Sequence, residues 1–210
     1  MGLAYVLLLQ FIWLVVTLAL LAWVIALRRR IREGEERFRQ MAQRDALTGL
    51  ATRVVLRDRL TVALEAAKRH HNGLALLMLN IDRFKTINDA RGFDAGDEVL
   101  RVTAERIVQA VRKSDTVARM GADEFVVLLP DLVDPSAAES VAEKLVAILS
   151  APVPFAGRDL VVSVSIGVCT ASPGELDPEV MLRNVDAALY LAKAKGRNCY
   201  EVFLVGRTMA

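Results

Sequence analysis

The chain has 210 residues, 27 Lys and Arg against 25 Asp and Glu, a net charge of +2, and a hydrophobic content of 54%. That length suits one domain of ordinary size with an appendage, and so small a net charge argues against a nucleic-acid polymer as partner. Two cysteines, Cys169 and Cys199, are too few for a disulfide framework and stand in no metal-ligand cluster.

From Leu3 to Leu27 no residue is charged, and Gln10 is the one strongly polar side chain. As a helix this run spans about 37 Å at about 1.5 Å per residue, more than the ~30 Å of a hydrocarbon core. The pattern predicts a tilted transmembrane helix over 1–27, with Trp23 near the inner interface. A cleaved signal peptide fits worse, because Met1-Gly2-Leu3 carries no basic side chain and the apolar run is too long. Arg28, Arg29, Arg30 and Arg32 follow at once. Basic residues stay on the cytoplasmic side, so a single-pass protein of the inner (cytoplasmic) membrane is expected, with the rest of the chain in the cytoplasm. So little precedes the helix that no sensor domain is expected on the far side.

Residues 28–44 hold seven Arg and three Glu, a local +4 that leaves −2 for 45–210, since 1–27 are uncharged. The basic excess sits where anionic lipid accounts for it. Ile31, Gly34, Phe38 and Met41 follow a and d spacing. This segment reads either as a short coiled coil that pairs with a second copy or as a solvated linker helix.

Beyond Asp45, helix-like and strand-like segments alternate. Arg53–His70 has helical apolar spacing, Leu74–Asp82 is an apolar run of strand length, and Asp97–Lys113 is amphipathic. "TVARM" and "FVVLLP" read as a hairpin, Pro135–Ser150 as a helix, and "DLVVSVSIGVCTA" as a long strand region with Ser163 and Ser165 on one face. A helix closed by Gly196 and a last short strand "CYEVF" complete the chain. Hairpins mixed with helical connections predict an α+β fold, a mixed sheet layered with helices.

Several residues could carry chemistry. "RMGADEF" sets Asp123 and Glu124 in a tight turn between two strands. Asn80 and Asp82 stand two apart at a strand end and so project from one face. Oxygen ligands converging at strand ends suit Mg²⁺, which usually shares them with phosphate. Lys85, Lys193 and Arg197 are cations able to meet phosphates. Asn88 and Asp97 could read a nucleobase edge, with Gly92 and Gly96 as turn points. Taken singly, each of these is an ordinary turn, cap or surface residue.

Taken together they match a family. The blocks "DALTGLATR" (45–53), "LNIDRFKTINDARGFDAGDEVL" (79–100), "RKSDTVARMGADEFVVLLP" (112–130), "SVSIG" (163–167) and "DAALYLAKAKGRN" (186–198) resemble the GGDEF-domain family, the diguanylate cyclases. The resemblance implies a palm-like nucleotidyl cyclase fold over 45–210. It implies condensation of two GTP into cyclic di-GMP and pyrophosphate by a homodimer, with Mg²⁺ or Mn²⁺ as cofactor. Asp123 would bind metal and help deprotonate the attacking hydroxyl, with Glu124 beside it. Asn80 and the backbone oxygen of Ile81 would complete the metal set. Asn88 and Asp97 would hold guanine, Lys85, Lys193 and Arg197 the phosphates, and Gly121 would let the nucleotide lie close to the turn. Arg112 and Asp115 of "RKSD" stand where the family binds product cyclic di-GMP and is inhibited by it.

Four positions depart from the family. Asn80 replaces a metal-binding Asp and brings no negative charge, and Asp82 is the expected partial substitute. Ala122 replaces the second Gly of the signature, at a cost of about 1 kcal/mol or more if that position needs a positive φ. Phe93 stands in place of His and is expected to pack. Thr52 stands in place of Asn and keeps a hydroxyl able to cap backbone. The first two departures keep other readings open: a receptor for cyclic di-GMP or GTP, or an interaction module without nucleotide affinity.

Overall fold

The computed structural model describes Trp23 and residues 43–171 and 177–203. The chain divides into two units, Met1–Ala42 and Gln43–Ala210, and every element below belongs to the second. The expected transmembrane helix and the linker at 28–44 lie outside the described residues, apart from Trp23, Gln43 and Arg44. Among the described residues no helix is long and apolar enough to cross a membrane.

β1 (Ala51–Thr52) leads into α1 (Arg53–His70), and β2 (Gly73–Ile81) into α2 (Phe84–Arg91) and α3 (Phe93–Ala110). β3 (Thr116–Arg119) and β4 (Glu124–Leu132) follow, then α4 (Ser136–Leu149), β5 (Val153–Phe155) and β6 (Arg158–Leu160). β7 (Val164–Ala171), α5 (Pro178–Ala194) and β8 (Tyr200–Phe203) complete the fold. Six strands form one sheet in the order β1-β3-β4-β2-β7-β8, and β5 pairs with β6 separately. The pairs within β3-β4-β2-β7 are antiparallel, while β1–β3 and β7–β8 are parallel. The mixed sheet expected from the sequence is present.

The alternation of β2 sorts the layers. Leu74, Leu76 and Met78 pack with Leu56, Leu60 and Leu64 of α1 and Met181, Val185 and Leu189 of α5. Ala75, Leu77, Leu79 and Ile81 face the other way, onto Val99, Ala104 and Ile107 of α3 and Leu145 and Leu149 of α4. With both faces covered, β2 reads as a continuous apolar run, as a central strand should. Each buried leucine contributes about 1.5–3 kcal/mol of apolar transfer.

Three details differ from the sequence reading. Gly96 is not a turn point: it lies inside α3, where an added Cβ would come within 1.9 Å of Asn88 Oδ1. The glycine allows α2 and α3 to approach closely. The region "DLVVSVSIGVCTA" is broken between β6 and β7 rather than continuous. Phe93 does not pack either; it begins α3 and is 80% exposed.

Gly167 sets how near α5 lies to the sheet. A Cβ there would meet Val185 O at 2.3 Å and Leu189 N at 2.4 Å, both backbone atoms that cannot swing aside. Gly167→Ala is therefore expected to destabilise the protein by about 3 kcal/mol in denaturant unfolding, near the upper end for overpacking.

Candidate functional site

β2 and β4 end side by side. Asn80 pairs with Glu124 on one flank and with Ser165 of β7 on the other. Directly opposed residues project from the same face, so Glu124, Asn80 and Ser165 form a row on the face covered by α1 and α5. The turn is closed by Met120 N–H donating to the Glu124 carbonyl at 2.8 Å. The Asp123 carbonyl then accepts from Ile81 N–H at 3.2 Å and from Asn80 Nδ2 at 3.4 Å. The acidic turn is thereby fixed to the end of β2.

Arg119 holds the other side. Its Nε donates to the Gly121 carbonyl at 3.1 Å and its Nη2 to the Ala122 carbonyl at 2.8 Å. Its Nη1 reaches Asp45 Oδ1 at 2.9 Å, which also accepts from the Thr48 amide and hydroxyl. Burial pushes the Asp45 carboxyl up, but Thr48 and Arg119 outweigh it and hold the group below its ordinary value. Neither Gly121 nor Ala122 has a positive φ, and both are exposed. The strain that Ala122 would bring in a left-handed conformation does not arise. A Cβ on Gly121 would meet nothing nearer than Glu124 Oε2 at 4.0 Å, so the space over the turn is open.

Glu124 sits among charges. Burial raises its pKa above the ordinary glutamate value, and Asp186 and Asp123 push the same way against Lys193 and Arg53. Thus α5 brings both an acid and a base to Glu124, and the start of α1 brings a second base.

Asp82 is buried and held by hydrogen bonds. It is 7% exposed and accepts from Ser163 Oγ at 2.7 Å, Ser165 Oγ at 2.7 Å and Asn198 N–H at 3.1 Å. Three of its acceptor positions are thus used by Ser163, by Ser165 of β7 and by the loop after α5. Asn80 Nδ2 is committed to Asp123, which leaves Oδ1 for another partner.

The remaining residues fall into three groups. Lys85 and Asn88 lie on α2, and Asp97 lies in the second turn of α3, 3.9 Å from Arg101. Asn88 Oδ1 is buried with no partner; an orphaned acceptor beside Gly96 and Asp97 is what a ligand donor would satisfy. Lys193 lies beside Glu124. Arg197 has a φ of 66° in the loop after α5 and lines a cavity with Asp82 and Arg83. No described residue bonds the side chains of Lys85, Lys193 or Arg197. Arg112 and Asp115 form a turn in which Asp115 Oδ2 accepts from Arg112 N–H at 2.7 Å. The two side chains make no ion pair. Thr52 is the N-cap residue of α1, without a side-chain capping bond there.

Among the described residues no three His, Cys, Asp or Glu side chains group to hold a metal. The donors at the turn are the Asp123 carboxylate, the Asn80 amide oxygen and the Ile81 carbonyl. All are hard oxygens, the set that suits Mg²⁺ brought in with phosphates. The sequence reading missed Asp45, Arg119, Asp186 and Arg53. Asp186 was findable, because it stands seven residues before Lys193 and so shares its helix face.

A family model described as "Diguanylate cyclase, GGDEF domain" matches residues 42–199. The bifunctional diguanylate cyclase/cyclic di-GMP phosphodiesterase MucR of Pseudomonas aeruginosa is 42% identical over 165 residues, 78% of this chain and 24% of that protein. The chain spans about a quarter of the length of such curated relatives. Among solved structures, the isolated GGDEF domain of TpbB from Pseudomonas aeruginosa is 37% identical with a TM-score of 0.73, covering 77% of this chain and 95% of that one. The coiled coil and GGDEF domain of DgcB from Caulobacter crescentus, solved with c-di-GMP, is 31% identical with a TM-score of 0.72, covering 88% and 97%.

The raised pKa of Glu124 has a consequence for stability. A carboxyl whose folded pKa lies above its unfolded value contributes fully below the unfolded pKa, and that contribution is lost as pH rises through the folded pKa. Ionised Glu124 therefore destabilises the fold at neutral pH. Glu124→Gln is expected to raise the melting temperature at neutral pH by about one to a few degrees. The gain should fade towards about pH 4, where the wild-type group is protonated.

Proposed function

The chain belongs to the GGDEF-domain family, and from that membership we propose that it is a diguanylate cyclase, condensing two GTP into cyclic di-GMP and pyrophosphate. The observation that carries this reading is the acidic turn itself: Asp123 is fixed to β2 through Ile81 and Asn80, below open space at Gly121. A site abandoned by the reaction has no need of Arg119 holding two carbonyls of an exposed turn.

The residues divide the work. Asn88, with its unpartnered Oδ1, and Asp97 hold the guanine edge. Lys85, Lys193 and Arg197 hold the phosphates. Asp123, Asn80 and Ile81 would hold Mg²⁺ or Mn²⁺, which supplies stabilisation of charge on the phosphoryl oxygens. The 3′-oxygen of one GTP forms a bond to the α-phosphorus of the other, the bond to the β-phosphate oxygen breaks, and pyrophosphate leaves. The hydroxyl proton passes to a carboxylate at the turn. Glu124, whose pKa burial raises, stands beside Asp123 as one such carboxylate. Each subunit of a homodimer presents one GTP, so the reaction is chiefly positioning. The uncharged run 3–27 followed by arginines supports anchorage in the inner membrane with this domain in the cytoplasm. Arg112 and Asp115 form the inhibitory product site.

A second reading, a receptor for cyclic di-GMP or GTP, is favoured by one observation: Asn80 brings no negative charge to the turn, and the nearest added carboxylate, Asp82, already accepts from Ser163, Ser165 and Asn198. Incubation of the dimerised protein with GTP and Mg²⁺, followed by chromatography, separates the two. Cyclic di-GMP and pyrophosphate are expected from the wild type and not from Asp123→Ala. Binding of cyclic di-GMP with no product from the wild type would favour the receptor. Asn80→Asp is expected to lower the Mg²⁺ concentration needed for half-maximal rate by about tenfold, one added charge contact at the metal.

A further inference from the structure

Phe93 stands in solvent at the start of α3. The other described phenylalanines do not: Phe84 and Phe125 are buried, and Phe155 and Phe203 are half-buried. A single exposed apolar side chain is ordinary on a protein surface. An apolar ring beside a few convergent polar groups with spare capacity is the make-up of a ligand site. Gly92 alone separates α2 from α3, and its N–H donates to the Asn88 carbonyl at 2.9 Å, so the start of α3 is fixed to the last turn of α2.

Phe93, Gly96 and Asp97 fall at i, i+3 and i+4 and so share one face of α3. Asn88 reaches onto that face from α2, its Oδ1 lying 1.9 Å from where a Cβ on Gly96 would stand. That oxygen is buried and has no partner. Helical side chains lean towards the N-terminus, so Asp97 covers the turn that begins at Phe93. The cation nearest Asp97, Arg101, is 3.9 Å away and closer to Glu98, at 3.1 Å. Asp97 therefore keeps acceptor capacity towards a ligand. Two acceptors and an aromatic ring thus stand within one turn of helix, about 6 Å along its axis.

We propose that Phe93 is a binding residue for the guanine ring, its phenyl group covering the purine face while Asn88 and Asp97 take the Watson–Crick edge. The edge chemistry fits, because guanine presents N1–H and the N2 amine, donors for two acceptors. Adenine presents one donor and one acceptor there. The work divides accordingly: the two acceptors select the base, and the ring adds affinity that any purine receives. Water leaves both apolar faces on contact, which removes the exposure of Phe93. Phe93 stands in place of the family's His, so this covering face is particular to the chain. The proposal rests on the reading of Asn88 and Asp97 as the guanine site.

The test is titration calorimetry of the full chain with Mg²⁺ and GTP or ITP analogues bridged by methylene between the α- and β-phosphorus, so that no pyrophosphate leaves. ITP lacks the N2 amine and reports the edge contacts. Melting curves confirm that each substitution folds. Phe93→Ala is expected to bind both nucleotides about tenfold more weakly, with Phe93→Tyr near wild type. The preference for GTP over ITP should stay at the wild-type value in Phe93→Ala and fall in Asp97→Ala. Wild-type affinity in Phe93→Ala, beside weakened binding in Asp97→Ala, overturns the role of Phe93 and leaves the guanine site standing. A changed preference in Phe93→Ala overturns direct contact with the ring, since the side chain would then act through Asn88 and Asp97. No binding by the wild type, or equal binding by Asp97→Ala, overturns the guanine site and the role of Phe93 with it.

Discussion

A single carbonyl oxygen ties the molecule's chemistry to its scaffold. The Asp123 carbonyl accepts from the Ile81 amide and the Asn80 side chain, and so places an acidic turn at the end of the central strand. Without that join the turn would be a hairpin tip in solvent, and its carboxylates would have no fixed relation to β2. Arg119 completes the constraint from the other side by gathering the Gly121 and Ala122 carbonyls and Asp45. Donors on one side and a guanidinium on the other leave the carboxylates as the groups free to meet a ligand.

The price of this arrangement is charge crowding. Glu124 lies partly buried with Asp123 and Asp186 near it, and Lys193 and Arg53 offset only part of the repulsion. An Asp at position 80 would add another carboxylate to the same row. Asn80 relieves that crowding in the unliganded protein and keeps an oxygen for coordination, at the expense of charge when a cation arrives. Asp82, for its part, is held by two serine hydroxyls and a backbone amide.

Much of this was legible in the sequence, for identifiable reasons. β2 was clear because a central strand covered on both faces is apolar throughout, and α1 because Leu56, Leu60 and Leu64 recur at one helical face. The hairpin was clear because apolar strands flank a short polar turn. Spacing alone did not decide what depends on backbone angles and on third partners. Whether Ala122 is strained turns on its φ. The fate of Asp82 turns on Ser163 and Ser165, about 80 residues away in sequence. Gly96 looked like a turn residue because glycine permits turns, yet here it serves close helix contact. Nothing in the local sequence around Arg119 announces that it holds carbonyls of its own turn.

The central claim is that Asp123 gathers a divalent cation with a guanine nucleotide. Electron paramagnetic resonance of Mn²⁺, titrated into the protein with a GTP analogue lacking the 3′-hydroxyl, reads that directly because no turnover follows. Bound Mn²⁺ that depends on the nucleotide and disappears when Asp123 is replaced by alanine is the expected result. Mn²⁺ binding that is the same with and without the Asp123 carboxylate would contradict the account.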